Sequence, residues 1–76
     1  MNNEDRYWTK VLGEEGYTEM RGLIHRALRG KIDRGGFERG YLDFLEEYTR
    51  DISDGDLARI ELMYDSIMKI YKRRNK

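Results

Sequence analysis

The chain has 76 residues, without cysteine or proline, and its 15 basic and 15 acidic residues cancel. That length leaves room for one domain (1–76) with a small core, and the lack of cysteine excludes disulfides and thiolate metal ligands as its supports. Neutral overall charge excludes a uniform field of either sign, but the cancellation is uneven: residues 1–20 sum to −3, 21–39 to +4, 40–65 to −6 and 66–76 to +5.

Glycine is the main punctuation. Asn2 or Asn3 offers a cap for a first helix near 4–12, with Glu4 and Asp5 at the end where the helix dipole favours negative charge. Tyr7, Trp8, Val11 and Leu12 share one side of it, and Gly13 and Gly16 are expected to end it. Thr18 or Tyr17 then opens a second helix over 18–31. There Met20, Leu23, Ile24, Ala27 and Leu28 keep helical period, while Arg21, His25, Arg26 and Arg29 lie off the stripe. Gly30 weakens its last turn, and Gly35–Gly36 is read as a stop.

The third segment, 37–51, carries Phe37, Tyr41, Phe44, Leu45, Tyr48 and, just beyond it, Ile52 at spacings of 4, 3, 1, 3 and 4, a continuous aromatic-rich stripe. "SDGD" supplies a break, with Ser53, Asp54 or Asp56 as cap for a fourth helix over 56–73. Leu57, Ile60, Met63, Tyr64, Ile67, Ile70 and Tyr71 give that helix a face wide enough for two neighbours, and Leu62 and Met68 widen it further. No strand alternation occurs anywhere. The expected fold is all-α: a small bundle of three main helices plus a short N-terminal helix, with helices three and four as an antiparallel hairpin around 52–55. The expected core is Leu23, Ile24, Leu28, Phe37, Tyr41, Phe44, Leu45, Tyr48, Leu57, Ile60, Tyr64 and Ile67.

The stretch "RGKIDRGGFERG", residues 29–40, has four glycines and four basic residues. A phosphate loop of the Walker kind needs Lys followed by Ser or Thr between a strand and a helix. Here Ile32 follows Lys31 and no strand precedes it, so a helix junction is the better reading. The same stretch also reads as a phosphate-contacting edge, with Arg26, Arg29, Lys31, Arg34 and Arg39 as cations and Phe37 as a stacking ring. Lys72, Arg73 and Arg74 in the 69–76 tail form a second basic cluster, whose minimal role is to complement a helix C-terminus.

"DISDGD" looks like a fragment of a calcium loop but fails on register. With Gly55 at the required glycine, Arg50 and Ile52 occupy carboxylate positions. His25 is the only histidine, and neither Ser53 nor Ser66 forms a catalytic set with it. No pair of carboxylates stands out for acid–base work. The expectation is therefore a non-enzymatic protein without metal or cofactor.

Nine aromatic residues, six of them Tyr and one Trp, exceed what a small core encloses. Tyr, Trp and Arg also dominate binding hot spots. The functional expectation is a small helical protein that docks on a partner macromolecule, foremost another protein, and modulates it. Small accessory and regulatory proteins of phages and mobile elements often act in this way. The candidate partner-binding residues are Trp8, Arg26, Arg29, Lys31, Arg34, Arg39, Lys72, Arg73 and Arg74. The alternative is a nucleic-acid-binding domain using 26–39 and 69–76. The broad apolar face of the fourth helix adds a homodimer as a further expectation. No apolar run reaches bilayer length, and the start lacks a signal peptide's apolar centre, so a cytoplasmic protein without membrane contact is expected.

Overall fold

A computed structural model describes residues 2–74, which form α1 (Asn3–Leu28), α2 (Arg34–Tyr48) and α3 (Asp54–Arg74). Among the described residues there is no strand. No helix among them is long and apolar enough to cross a membrane.

Helix α1 begins where Asn2 accepts the Asp5 N–H on its side-chain oxygen at 2.8 Å. The expected separate N-terminal helix is not a separate element. Its residues run directly into the second helical stretch and meet it at a kink, with Gly13 at φ 79°, ψ 165°. That conformation is nearly confined to glycine, so one residue turns the helix without a loop. Thr18 and Tyr17 are interior to α1 rather than its start. Gly16 does not stop the helix either. A Cβ on it would lie 3.0 Å from Cδ1 of Tyr48, so its bare backbone admits the Tyr48 ring from α2.

Helix α1 stops at Leu28, short of the expected residue 31. The Gly30 N–H donates to Ala27 O at 3.2 Å and the Lys31 N–H to Arg26 O at 2.8 Å, with Gly30 at φ 70°. This pair of bonds around a left-handed glycine is the Schellman ending. Helix α2 starts three residues earlier than expected, because Asp33 caps it by accepting the Gly36 N–H at 2.7 Å. Gly35 and Gly36, read as a stop, therefore lie in its first turn. Thr49 Oγ1 and Arg50 Nε donate to the Leu45 and Glu46 carbonyls and close its other end. Ser53 is the cap of α3, its hydroxyl oxygen accepting the Asp56 N–H at 3.2 Å.

The core holds Leu12, Met20, Leu23, Ala27, Phe37, Tyr41, Phe44, Ile60, Ile67, Met68 and Tyr71. Ile24, Leu45, Tyr48 and Tyr64 are partly buried against it, and Leu57 is half-buried. Leu28 departs from expectation. It occupies the final turn of α1, where the chain turns away through Gly30, and is 48% exposed.

The centre is aromatic. Tyr41 and Tyr64 stack with ring centroids 4.0 Å apart, and Phe37 lies 5.6 Å from Tyr64 and 5.8 Å from Tyr71. Such pairs contribute about 0.5–1.5 kcal/mol each beyond area burial. The molecule measures 38 × 24 × 18 Å. The 21 residues of α3 extend about 31 Å at 1.5 Å each. Its two ends therefore belong to opposite ends of the protein, where the two candidate surfaces lie.

Candidate functional site

At the N-terminal end of α3, the arm before Gly13 lies against the remainder of α1 and against α3. The Tyr7 hydroxyl donates to Asp56 and the Tyr17 hydroxyl to Asp5. These two bonds hold the arm in place. Tyr17 keeps the Asp5 carboxyl below the usual carboxylate range, helped by the Asn2 contact and Arg21, against a smaller opposing effect of desolvation. The phenols of Tyr7 and Tyr17 are pushed up in turn, chiefly because ionising either would forfeit the hydrogen bond it donates to its carboxylate, with desolvation and then charge repulsion adding to this.

Between arm, helix and α3 opens a groove of about 840 Å³. Trp8, half-buried, stands edge-on to Tyr7 with centroids 5.3 Å apart. Met20, Ile24, Ile60 and Met63 supply the apolar floor. Two arginines flank it. The Arg21 guanidinium sits 5.7 Å from the Tyr17 ring centre and Arg59 lies 5.8 Å from that of Tyr7. Glu4 and Asp5 also line the groove, so rigid rings and pliable thioethers combine apolar area with edges that carry both signs of charge, the two arginines being the part that a partner's carboxylates can meet. Of the candidate binding residues, Trp8 alone belongs to this groove.

Most of the basic candidates gather at the opposite end. Arg74 donates through its two terminal nitrogens to Ala27 O at 3.0 Å and Leu28 O at 2.8 Å. The Tyr71 hydroxyl donates to Ile32 O at 2.8 Å. These bonds bring the two basic clusters, distant in sequence, to one end of the fold. They also give Arg74 a role within the fold, closing the C-terminal end of α1 while the residue stays exposed. Arg29, Lys31, Arg34, Lys72 and Arg73 are exposed there. Arg26 stands at the margin, since it also borders a shallow depression with Glu19, Asp43 and Glu47. Arg39 is exposed further along α2. Asn75 and Lys76, the end of the 69–76 cluster, lie outside the described residues. Phe37 is fully buried, so it is a core ring rather than a stacking platform.

His25 is exposed beside Gly22, Arg26, Arg29 and Lys31. No group of three or more potential metal ligands forms among the described residues.

Sequence reasoning found Trp8 but missed Tyr7, Tyr17, Met20, Arg21, Arg59 and Met63 as parts of one site. Tyr17 and Arg21 stand four apart on a helix, a spacing that brings a cation over a ring and was legible. The approach of Arg59 to Tyr7 spans the fold and has no local signal.

Fold and surfaces together define a three-helix protein with an aromatic groove at one end and a cationic surface at the other. In comparisons with known proteins, no family model matches the chain, and neither does any curated protein or solved structure.

Proposed function

We propose that this is a non-enzymatic interaction protein of the cytoplasm that docks a partner protein in the Trp8 groove and thereby modulates it. The observation that carries this reading is the convergence of Tyr7, Trp8 and Tyr17 with Met20, Met63 and two tyrosine-stacked arginines on one open groove. The occupant it fits is an apolar segment of another protein with carboxylates at its edges. The apolar part displaces water from the ring faces, and the carboxylates meet Arg21 and Arg59. In this reading α2 and α3 form an antiparallel hairpin around 49–53. The Phe37–Tyr71 and Tyr41–Tyr64 ring pairs support that arrangement.

The test is affinity capture on nuclease-treated lysate with the wild type, Trp8→Ala and Arg59→Glu, followed by purification of what is captured. Trp8 is the only tryptophan, so the purified partner should change its emission directly. The expected result is one protein that quenches or shifts Trp8 fluorescence and is lost with either substitution. If capture is indifferent to both substitutions, or if sedimentation shows that only a second copy of the chain fills the groove, the proposal fails.

A further inference from the structure

Beyond the groove, we infer that the opposite end of the molecule is a sequence-independent docking surface for the phosphate backbone of duplex nucleic acid. The blocks 21–39 and 66–74 each carry +4 and are brought together by the Arg74 and Tyr71 bonds to the end of α1 and its connection to α2. Arg29, Lys31, Arg34, Lys72 and Arg73 stand exposed around that junction. The nearest carboxylate in sequence, Asp33, is engaged as the α2 cap, and Glu38 follows one turn along the helix.

Helix dipoles account for only part of this charge. Arg29, Lys72 and Arg73 sit at the C-terminal ends of α1 and α3, where cations are favourable. Arg34 does the opposite: it opens α2 at the positive end of that helix. Helices α1 and α3 carry acids in their first turns, whereas α2 has none. Lys31 lies in the connection, outside any helix. Their surroundings balance these two cations only in part, through Asp33 beside both and Glu38 four residues from Arg34 on α2, and a polyanion from outside would add to that balance.

The chemistry of the surface selects among polyanions. Three of the five cations are arginines, whose planar forks match phosphate oxygens in pairs. The aromatic rings of this end, Phe37 and Tyr71, are buried. With no ring to stack on unpaired bases, single strands lose their main source of affinity here, and backbone contact with a duplex remains. A lone half-exposed Leu28 gives too little apolar anchorage for a lipid surface. The −6 block, residues 40–65, includes the far halves of α2 and α3. The molecule's own dipole therefore turns the cationic end toward a polyanion.

The test is fluorescence anisotropy with a labelled 20-base-pair DNA duplex, together with matched single-strand, RNA-duplex and poly-glutamate arms. Wild type should bind at 20 mM salt and lose affinity on the order of 100-fold between 50 and 200 mM, as release of counterions from about four phosphates requires. Arg29→Glu with Arg34→Glu should weaken binding at least roughly tenfold and flatten the salt slope by about two. Circular dichroism checks that helicity is retained. Should that variant fail to fold, Arg29→Gln with Arg34→Gln makes the same comparison. Trp8→Ala should bind duplex like the wild type, which separates this surface from the groove. Absence of binding at 20 mM salt overturns the inference, as do equal affinity for poly-glutamate or single strands and indifference to the arginine substitutions.

Discussion

Replacing Tyr41 by Phe should stabilise the protein. Tyr41 is 5% exposed, and its hydroxyl has no hydrogen-bond partner among the described residues. Leaving a buried polar group unmatched costs about 1–3 kcal/mol. Removing the oxygen relieves that cost and leaves a void of about one atom, worth a few tenths of a kcal/mol at roughly 24 cal/mol per Å³. The stack on Tyr64 at 4.0 Å survives, because phenylalanine presents the same ring. The net gain should be about 1 kcal/mol, or roughly 4–8 °C in Tm for a domain of this size. Urea and thermal unfolding followed by circular dichroism at pH 7 measure it.

The alkaline limb sharpens the test. Burial, reinforced by Glu61, Tyr64 and Asp65, pushes the Tyr41 phenol up to about 12. The unfolded chain releases this proton near pH 10. Below pH 10 both states hold it and the full stability is present. Between 10 and 12 the unfolded state alone sheds it, so wild-type stability falls as pH rises. The Phe variant lacks this loss, and its advantage should widen from pH 10 to 12. A Phe variant less stable than wild type at pH 7, or a stability gap that does not change with alkaline pH, would refute the reasoning.

Three other perturbations have definite outcomes. Gly13→Ala should destabilise by about 1–3 kcal/mol through backbone strain alone, since a Cβ there meets nothing within 4 Å; Trp8 emission should shift with it. Gly16→Ala improves intrinsic helix propensity by about 1 kcal/mol. It also sets a Cβ 3.0 Å from both Leu12 Cβ and Tyr48 Cδ1, and overpacking of about 1–3 kcal/mol should make it net destabilising in chemical unfolding. Arg74→Met should weaken the end of α1, lowering amide-exchange protection at Gly30 and Lys31, and Arg74→Lys should restore it only in part because a point charge replaces the fork.

The helical class was legible because its signal is local. The stripe Phe37, Tyr41 and Phe44 repeats at helical spacing and is buried as that spacing requires. Boundaries failed where glycine has more than one meaning. At Gly30 it ends a helix, at Gly35 and Gly36 it lies inside one, and at Gly16 it admits a ring from another helix. Only the partner side chain, Tyr48 in the last case, distinguishes these uses. The groove was hidden for the same reason. Trp8 stood out by composition and Ile60 and Met63 by their place on an apolar face, but nothing local joined them, or distinguished Arg59 from ordinary helix surface, until Asp56 met Tyr7. The meeting of the two basic clusters depends on Arg74 reaching across the fold to Ala27.

The bend at Gly13 has a rotational consequence. Each helical residue advances the chain about 100° and 1.5 Å, so an unbroken helix would dictate the azimuth of Trp8 from the residues that follow. The single extended residue uncouples the two phases, and the arm takes its bearing from Asp56 and Tyr17 instead. With that one glycine deleted, the phase of the residues that follow would dictate where the indole points, while every side chain of the arm stayed chemically intact.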